Sequence, residues 1–462
     1  MTQQHFKIMT LGCAKNSVDS EQIYGLLRNN GFIPVEDFAH AEMILLNTCG
    51  FIESAKQESI DTILELARYK KTGACKYLIM VGCLVQKYAH ELKNSLPEVD
   101  MFLGTGDLME LPILLTSLKQ NGLNRKLNKE LNKEEPVLKI TRPENYLYDD
   151  DVKRDYTQER AYAYVKIAEG CNNYCTYCVI PQLKGRYRSR TIESIVDEVK
   201  GLVENGVKEI ILIAQDTTYF GMESAGRSLL PQLLWELVKI PQLRWLRLHY
   251  CYPEHITEEL LKTIKDEDKI CKYLDLPLQH ISDPILKAMG RSMGKAQIFN
   301  LIKRVRELIP NIILRSTFIV GFPGETREQF SELLAFLQEV KFDRVGFFAY
   351  SKEPDTPAAL LAGQVSMQEK QRRREKAMQL QDQILASKQA QLLNKKVEII
   401  VDGASLDYEG LWEGRTRGDS PEIDGVVYFK PTPKIKSGDI IMIIITHSEN
   451  YALMGEINNE FT

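Results

Sequence analysis

The chain lacks any apolar run long enough to span a bilayer, and its opening residues, MTQQHFKIMTLGC, lack the basic flank and apolar stretch of a secretory leader. A cytoplasmic protein with no membrane association is expected. A basic excess is missing too: 59 Lys and Arg stand against 63 Asp and Glu, a formal net charge of −4. Bulk charge therefore does not mark a protein that grips nucleic acid, although a local basic patch stays open. Cysteines do not come in a paired framework. There are nine, an odd number at wide spacing, and in a reducing compartment clustered thiols point to metal binding or catalysis. Histidine is scarce. His5, His40, His90, His249, His255, His280 and His447 form no local signature with a cysteine nucleophile, so a thiol hydrolase has no sequence support beyond pairing in space.

What is present is an ordinary globular composition, 44% hydrophobic and 26% charged over 462 residues, enough for two to four domains. Residues 1–118 alternate strand and helix signals. HFKIMTLGC, EMILLNTCGF and KYLIMVGCL read as strands. Residues 17–30 read as a helix with Ile23, Leu26 and Leu27 on one face, and 53–70 as another with Ile60, Ile63, Leu64 and Ala67 on one side. Such alternation implies an open parallel α/β sheet. Residues 119–158, with NGLNRKLNKELNKEEP and the charge run YDDDVKRDY, are polar and low in complexity and read as a linker.

From 159 to 388 the alternation resumes with six strand signals, YAYVKIAEG, EIILIAQD, LRWLRLHYCY, YLDLPLQH, IILRSTFIVGF and RVGFFAYS, and a clear helix over 191–205. Six βα units in succession predict a partial (βα)6 TIM-like barrel, with its active site at the carboxyl ends of the strands. Ser366 and Glu369 form a capping-box pattern that opens a long charged helix to about residue 394. Residues 389–462 hold short strands between Gly and Pro turns, a small all-β barrel. The fold class expected is multidomain α/β with a terminal all-β module.

Residues 170–181, GCNNYCTYCVIP, hold Cys171, Cys175 and Cys178 directly after the first barrel strand. A structural zinc site takes four protein ligands, commonly in two close pairs, and no second pair lies nearby. Inert buried thiols do not suit a loop that also carries Gly170, Asn172, Asn173 and Pro181. An iron–sulfur cube suits thiolates, and three of them leave one iron open to a substrate or cofactor. With Tyr177 before the last cysteine, this C-x3-C-x2-C run on a partial barrel resembles the radical S-adenosylmethionine (SAM) superfamily. The resemblance implies a cluster on these three cysteines whose open iron holds the amino and carboxylate groups of SAM. Reductive cleavage would then yield a 5′-deoxyadenosyl radical that abstracts hydrogen from an unactivated C–H bond. IVGFPGE, 319–325, resembles that superfamily's glycine-bearing strand beside the adenosine. Tyr177, Gly321, Gly324 and Glu325 are the implied cofactor contacts, and a strand ending in a tight turn explains the same glycines. No catalytic residue beyond the cluster ligands is singled out.

A second trio lies upstream. Cys13, Cys49 and Cys83 each end an expected parallel strand, and parallel strands put their carboxyl ends on one sheet edge. Cys75 starts a strand and belongs at the opposite edge as a bystander. Cys251 and Cys271 read as isolated core or surface thiols. Two open trios argue against an electron carrier, whose clusters are normally closed by four cysteines. Together they resemble the methylthiotransferases over nearly the whole chain: an N-terminal cluster domain, a radical SAM domain and a C-terminal TRAM-type barrel. That family carries two [4Fe–4S] clusters. The resemblance implies sulfur handling on Cys13, Cys49 and Cys83, radical initiation on Cys171, Cys175 and Cys178, SAM as cofactor and an external electron donor.

Within that family, LGCAKNSVDSE (11–21), NTCGFIESAKQES (47–59), LPLQH (276–280) and RTRGDSPEIDG (415–425) resemble the RimO branch. That branch modifies the β-carbon of an aspartate in small-subunit ribosomal protein number twelve, free or on the ribosome. The other branch modifies an adenosine in transfer RNA and is the alternative. From residue 389 onward, seven Lys and Arg stand against twelve Asp and Glu. An acidic module repels phosphates and attracts a basic protein, so direct nucleic-acid contact is not expected. A merely soluble acidic surface has the same composition. Gln279 and His280 stand at a strand's carboxyl end, in either a steering or a turn role.

Overall fold

The computed structural model describes residues 4–116, 136–145, 154, 160–449 and 451–457. The chain forms two compact units. One comprises Met1–Thr157, Ala168–Tyr174 and Cys178–Arg190; the other comprises Gln158–Ile167, Cys175–Tyr177 and Thr191–Thr462.

The first unit is built on a six-stranded, wholly parallel sheet. Its strands are β1 (His5–Thr10), β2 (Ile33–Pro34), β3 (Met43–Thr48), β4 (Tyr77–Gly82), β5 (Met101–Leu103) and β6 (Val137–Lys139), in spatial order β2-β1-β3-β4-β5-β6. Alternate residues of the central strands feed opposite cores: Ile44, Leu46, Leu78 and Met80 enter one, Met43, Leu45, Ile79 and Val81 the other. Both faces are covered, so β3 and β4 read as continuous apolar runs. The first helix spans Ala14–Asn29, three residues earlier than its periodicity predicts, because Cys13 is its N-cap and cysteine is not a capping signal. The second spans Glu53–Ala67, followed by a separate turn of helix at Tyr69–Thr72.

One expectation is corrected here. Val137–Lys139, inside the stretch read as a linker, pairs with β5 as the sixth strand. Three residues amid polar sequence carry too little periodicity to announce a strand. Residues 119–135, 146–153 and 155–158 of that stretch lie outside the described residues. The unit also contains a short antiparallel pair, β8 (Ala168–Glu169) with β9 (Arg188–Ser189).

In the second unit the six expected barrel strands form two three-stranded parallel sheets. β7 (Tyr162–Lys166), β10 (Glu209–Ile213) and β11 (Trp245–Leu248) make one, in order β11-β10-β7. β12 (Tyr273–Gln279), β13 (Ile313–Val320) and β14 (Arg344–Ala349) make the other. The helix expected over 191–205 spans Ile192–Glu204, with the Thr191 hydroxyl accepting from Ser194 N–H and Ile195, Val199, Leu202 and Val203 facing the core. The long charged helix spans Met367–Ala390. Ser366 accepts from Glu369 N–H as the pattern predicts, while the Glu369 carboxylate pairs with Arg372 and Arg373.

The terminal module is a closed barrel of β15 (Lys396–Ala404), β16 (Trp412–Thr416), β17 (Val427–Phe429), β18 (Ile440–Glu449) and β19 (Ala452–Ile457), in order β15-β16-β17-β19-β18. Its 415–425 segment is tied to the parallel strands by charge. Arg415 pairs with Glu209, Arg344 with Asp419, and Arg315 with Asp424, which also accepts from the Tyr273 hydroxyl. Among the described residues no helix is long and apolar enough to cross a membrane.

Candidate functional site

In the first unit, β1, β3 and β4 are neighbours, and each is followed at its carboxyl end by one cysteine. Cys13 caps the helix Ala14–Asn29, Cys49 follows β3, and Cys83 opens the helix Cys83–Ser95. The approach is close. A Cβ on Gly12 would lie 2.9 Å from the Cys49 Cβ and 3.2 Å from its Sγ, and Gly12 has φ +97°. A Cβ on Gly50 would lie within 2.8 Å of the Leu84 backbone, so the loops carrying Cys49 and Cys83 touch. Burial raises the Cys49 thiol pKa. It pushes that of Cys83 up to about 12, against the pull of Lys184. Cys83 sits at a helix N-terminus, where the helix dipole favours a thiolate. Cys75 lies before β4, buried at the opposite edge, its thiol donating to the Tyr77 carbonyl.

The strand ends are tied by buried polar side chains that periodicity does not single out. Asn16 donates to the carbonyls of Leu11 and Thr48. Asn47 donates to the Asn16 carbonyl and the Ser20 hydroxyl. The Ser59 hydroxyl accepts from Cys49 N–H and donates to Cys49 O. A polar residue inside a fully buried strand, such as Asn47 in MILLNT, is the signal that could have found them. Cys83 packs against Val179 and Leu183, and the nearby Lys184 donates to Asp19 at 3.1 Å.

Cys171, Cys175 and Cys178 occupy an irregular loop whose backbone turns at Gly170 (φ +82°) and Tyr174 (φ +46°). A Cβ on Gly170 would sit 2.1 Å from the Arg186 carbonyl, so only glycine fits. All three residues are half-buried. The Cys171 sulfur accepts from Asn173 N–H at 3.5 Å, and the Cys178 sulfur from Ile180 N–H at 3.4 Å. The Cys175 sulfur lies 3.6 Å from the Tyr252 hydroxyl. Tyr177 packs against an apolar cluster of Ile285, Met289, Phe322, Tyr350 and Ala358. Cys251 and Cys271 are fully buried, as isolated thiols should be. Among the described residues no group of three His, Cys, Asp or Glu side chains is spaced for a single metal ion. The donors gathered at the strand ends are all thiols, which suits an iron–sulfur cluster rather than a hard cation.

The 319–325 turn is internally braced. The Glu325 carboxylate accepts from Gly321 N–H and Phe322 N–H and pairs with Arg373 at 2.9 Å. Its side chain is thus committed to the turn. Gly321 (φ +69°) is required because a Cβ there would meet Lys370 Cγ at 2.4 Å. Gly324 (φ +82°) faces open space. Gln279 has φ +71°, and His280 is buried with its Nδ1 accepting from Ser282 N–H, a turn role.

Four of the twelve acids of the terminal module are paired with arginines of their own unit. Asp402 pairs with Arg415, Glu398 with Arg417, Asp419 with Arg344 and Asp424 with Arg315. Those acids are not free to attract a basic partner, a distinction composition cannot make.

Three family models match in chain order: Uncharacterized protein family UPF0004 over residues 5–104, Radical SAM superfamily over 165–337 and TRAM domain over 395–457. The chain is 46% identical over 452 residues to a Desulforamulus reducens protein named ribosomal protein uS12 methylthiotransferase RimO, covering 97% of this chain and 98% of that one. A protein of the same name from Clostridioides difficile is 44% identical, with 97% of each chain covered. Among solved structures, TsrM from Kitasatospora setae, a radical SAM methyltransferase with cobalamin and a [4Fe–4S] cluster bound, shares the fold. It matches 95% of this chain and 84% of its own, with a TM-score of 0.54 and 16% identity.

Proposed function

The chain belongs to the RimO family of ribosomal protein uS12 methylthiotransferases, and from that premise we propose that it transfers a methylthio group to the β-carbon of an aspartate in uS12. Cys13, Cys49 and Cys83 would hold one [4Fe–4S] cluster, and Cys171, Cys175 and Cys178 another. When bound, the two clusters and SAM supply the sulfur and the carbon-centred radical that the transfer requires.

The protein's own residues hold, orient and shield. The helix N-terminus at Cys83 and the cation of Lys184 oppose the burial that otherwise keeps the Cys83 thiol protonated, and cluster binding would displace that proton. Asn16 and Asn47 tie the loop of Cys13 to that of Cys49, and Ser59 holds the Cys49 backbone. Tyr177, seated in its apolar cluster, anchors the segment between Cys175 and Cys178. Glu325 braces the glycine turn, whose Gly321–Gly324 segment would hold the adenosine of SAM. The reaction needs a low-potential electron donor from outside the chain. Its substrate, free or on the ribosome, puts the enzyme in the cytoplasm.

The observation that carries this reading is the convergence of three thiols at the carboxyl ends of β1, β3 and β4, in a chain that also carries a C-x3-C-x2-C loop after β7. Anaerobic reduction of the reconstituted protein with SAM should release 5′-deoxyadenosine. Cys175→Ala should abolish that release while the other cluster's iron remains. Equal release from the variant would refute the assignment of radical initiation to this loop.

A further inference from the structure

The Tyr252 hydroxyl stands 3.6 Å from the Cys175 sulfur. A thiolate on iron carries no proton, so in the loaded protein the phenol is the donor and the sulfur the acceptor. The phenol is held from several sides. Tyr252 N–H donates to the Thr218 hydroxyl at 3.0 Å, and that hydroxyl, itself out of solvent, also reaches Asp216 at 2.6 Å. One residue earlier, Cys251 N–H donates to the Asp275 carbonyl. Tyr250 N–H donates to the Asp275 carboxylate. The buried Arg291 guanidinium lies 3.9 Å from the centre of the Tyr252 ring. It is fixed in turn by Glu254 at 3.3 Å and the Pro277 carbonyl at 3.2 Å. A side chain pinned at its backbone and over its ring face can hold one hydroxyl on one sulfur without reorganising when charge arrives.

We propose that Tyr252, clamped by Arg291, is a positioning residue that sets how readily the cluster on Cys171, Cys175 and Cys178 accepts its electron. The proposal rests on the reading of these cysteines as cluster ligands. The step is a one-electron reduction: an external low-potential reductant is oxidised and the cluster is reduced, with no bond made or broken. Added negative charge resides partly on the ligand sulfurs. A donor on one of them, and a buried cation behind it, stabilise the reduced form. Tyr252 would thus raise the potential of the cluster that must be reduced before SAM can be cleaved.

The test uses the full-length holoprotein, titrated anaerobically with dithionite and followed by electron paramagnetic resonance. The signal that changes on adding SAM identifies the relevant cluster. In Tyr252→Phe the ratio of reduced to oxidised cluster at a fixed potential should fall about tenfold, equivalent to 59 mV for a one-electron couple. Arg291→Met should shift it the same way, and Tyr250→Phe, a phenol two residues away, should leave it unchanged. An unchanged ratio in Tyr252→Phe with full iron content would overturn the proposal. So would loss of the cluster from that variant, which would make the phenol a structural support. Absence of any SAM-responsive signal in the wild-type protein would instead sink the reading of the cysteine loop, and the proposal with it.

Discussion

Arg415 of β16 and Glu209 of β10 form an ion pair at 2.6 Å with both side chains out of solvent. Arg247 takes the other Glu209 oxygen at 2.7 Å, and Asp402 takes the other side of Arg415. Burial alone would raise the Glu209 carboxyl, but the two guanidiniums outweigh it and hold it below the usual carboxylate range. Removing one member strands a buried charge, which typically costs about 3–5 kcal/mol. Arg415→Ala should therefore lower the stability of the full chain by about that amount in urea titrations, whereas exposed Arg304→Ala, which breaks a solvent-screened surface pair with Glu258, should cost far less. Equal losses in the two variants would show that the Arg415 cluster does not anchor the terminal barrel.

Gly12→Ala adds a Cβ where the Cys49 side chain already lies and asks alanine to adopt φ +97°. Both effects push apart the loops bearing Cys13 and Cys49. Reconstituted Gly12→Ala protein should bind about half the wild-type iron, retaining only the cluster on Cys171, Cys175 and Cys178. Full iron loading would show that these loops need not approach as closely as the structure has them.

Cys75 offers the matching control. It is buried beside the Tyr77 carbonyl at the amino end of β4, away from the strand ends that carry the other three thiols. Cys75→Ala should keep its iron and lose about 1 kcal/mol or less of stability, while Cys83→Ala loses one cluster. Iron loss from Cys75→Ala would overturn the ligand assignment in the first unit.

His280 predicts a pH dependence. Burial first, and the Arg373 charge second, hold its imidazole pKa down to about 3. In the unfolded chain it titrates near 6.5. Between these values the unfolded state takes up a proton that the folded state refuses. The stability it contributes is whole above about pH 6.5 and declines as pH falls toward 3, by about 1.4 kcal/mol per pH unit. His280→Asn, whose Oδ1 takes the place of Nδ1, keeps an acceptor for Ser282 N–H and removes the titration. Its stability should fall less steeply than wild type between about pH 6 and 4. Parallel slopes would place the imidazole in contact with water.

The sequence was most readable where chemistry and chain direction coincide. Strand–helix alternation makes β1, β3 and β4 parallel, and parallel strands put Cys13, Cys49 and Cys83 on one edge. Other features needed coordinates. Tyr252 lies 77 positions from Cys175, and nothing in NNYCTYC points to it. β6 is three residues long within polar sequence. Counting acids in the terminal module could not reveal that Asp402, Asp419 and Asp424 face arginines of their own unit. The glycines of IVGFPGE were visible, but the inward commitment of the Glu325 carboxylate was not.

The most direct measurement is mass spectrometry of both candidate substrates after incubation with the reconstituted, reduced protein and SAM. Purified uS12 and transfer RNA would be offered separately. A methylthio gain on one aspartate of uS12, lost in Cys83→Ala and in Cys175→Ala, is the predicted result. A gain on an adenosine of transfer RNA, with uS12 unmodified, would contradict it.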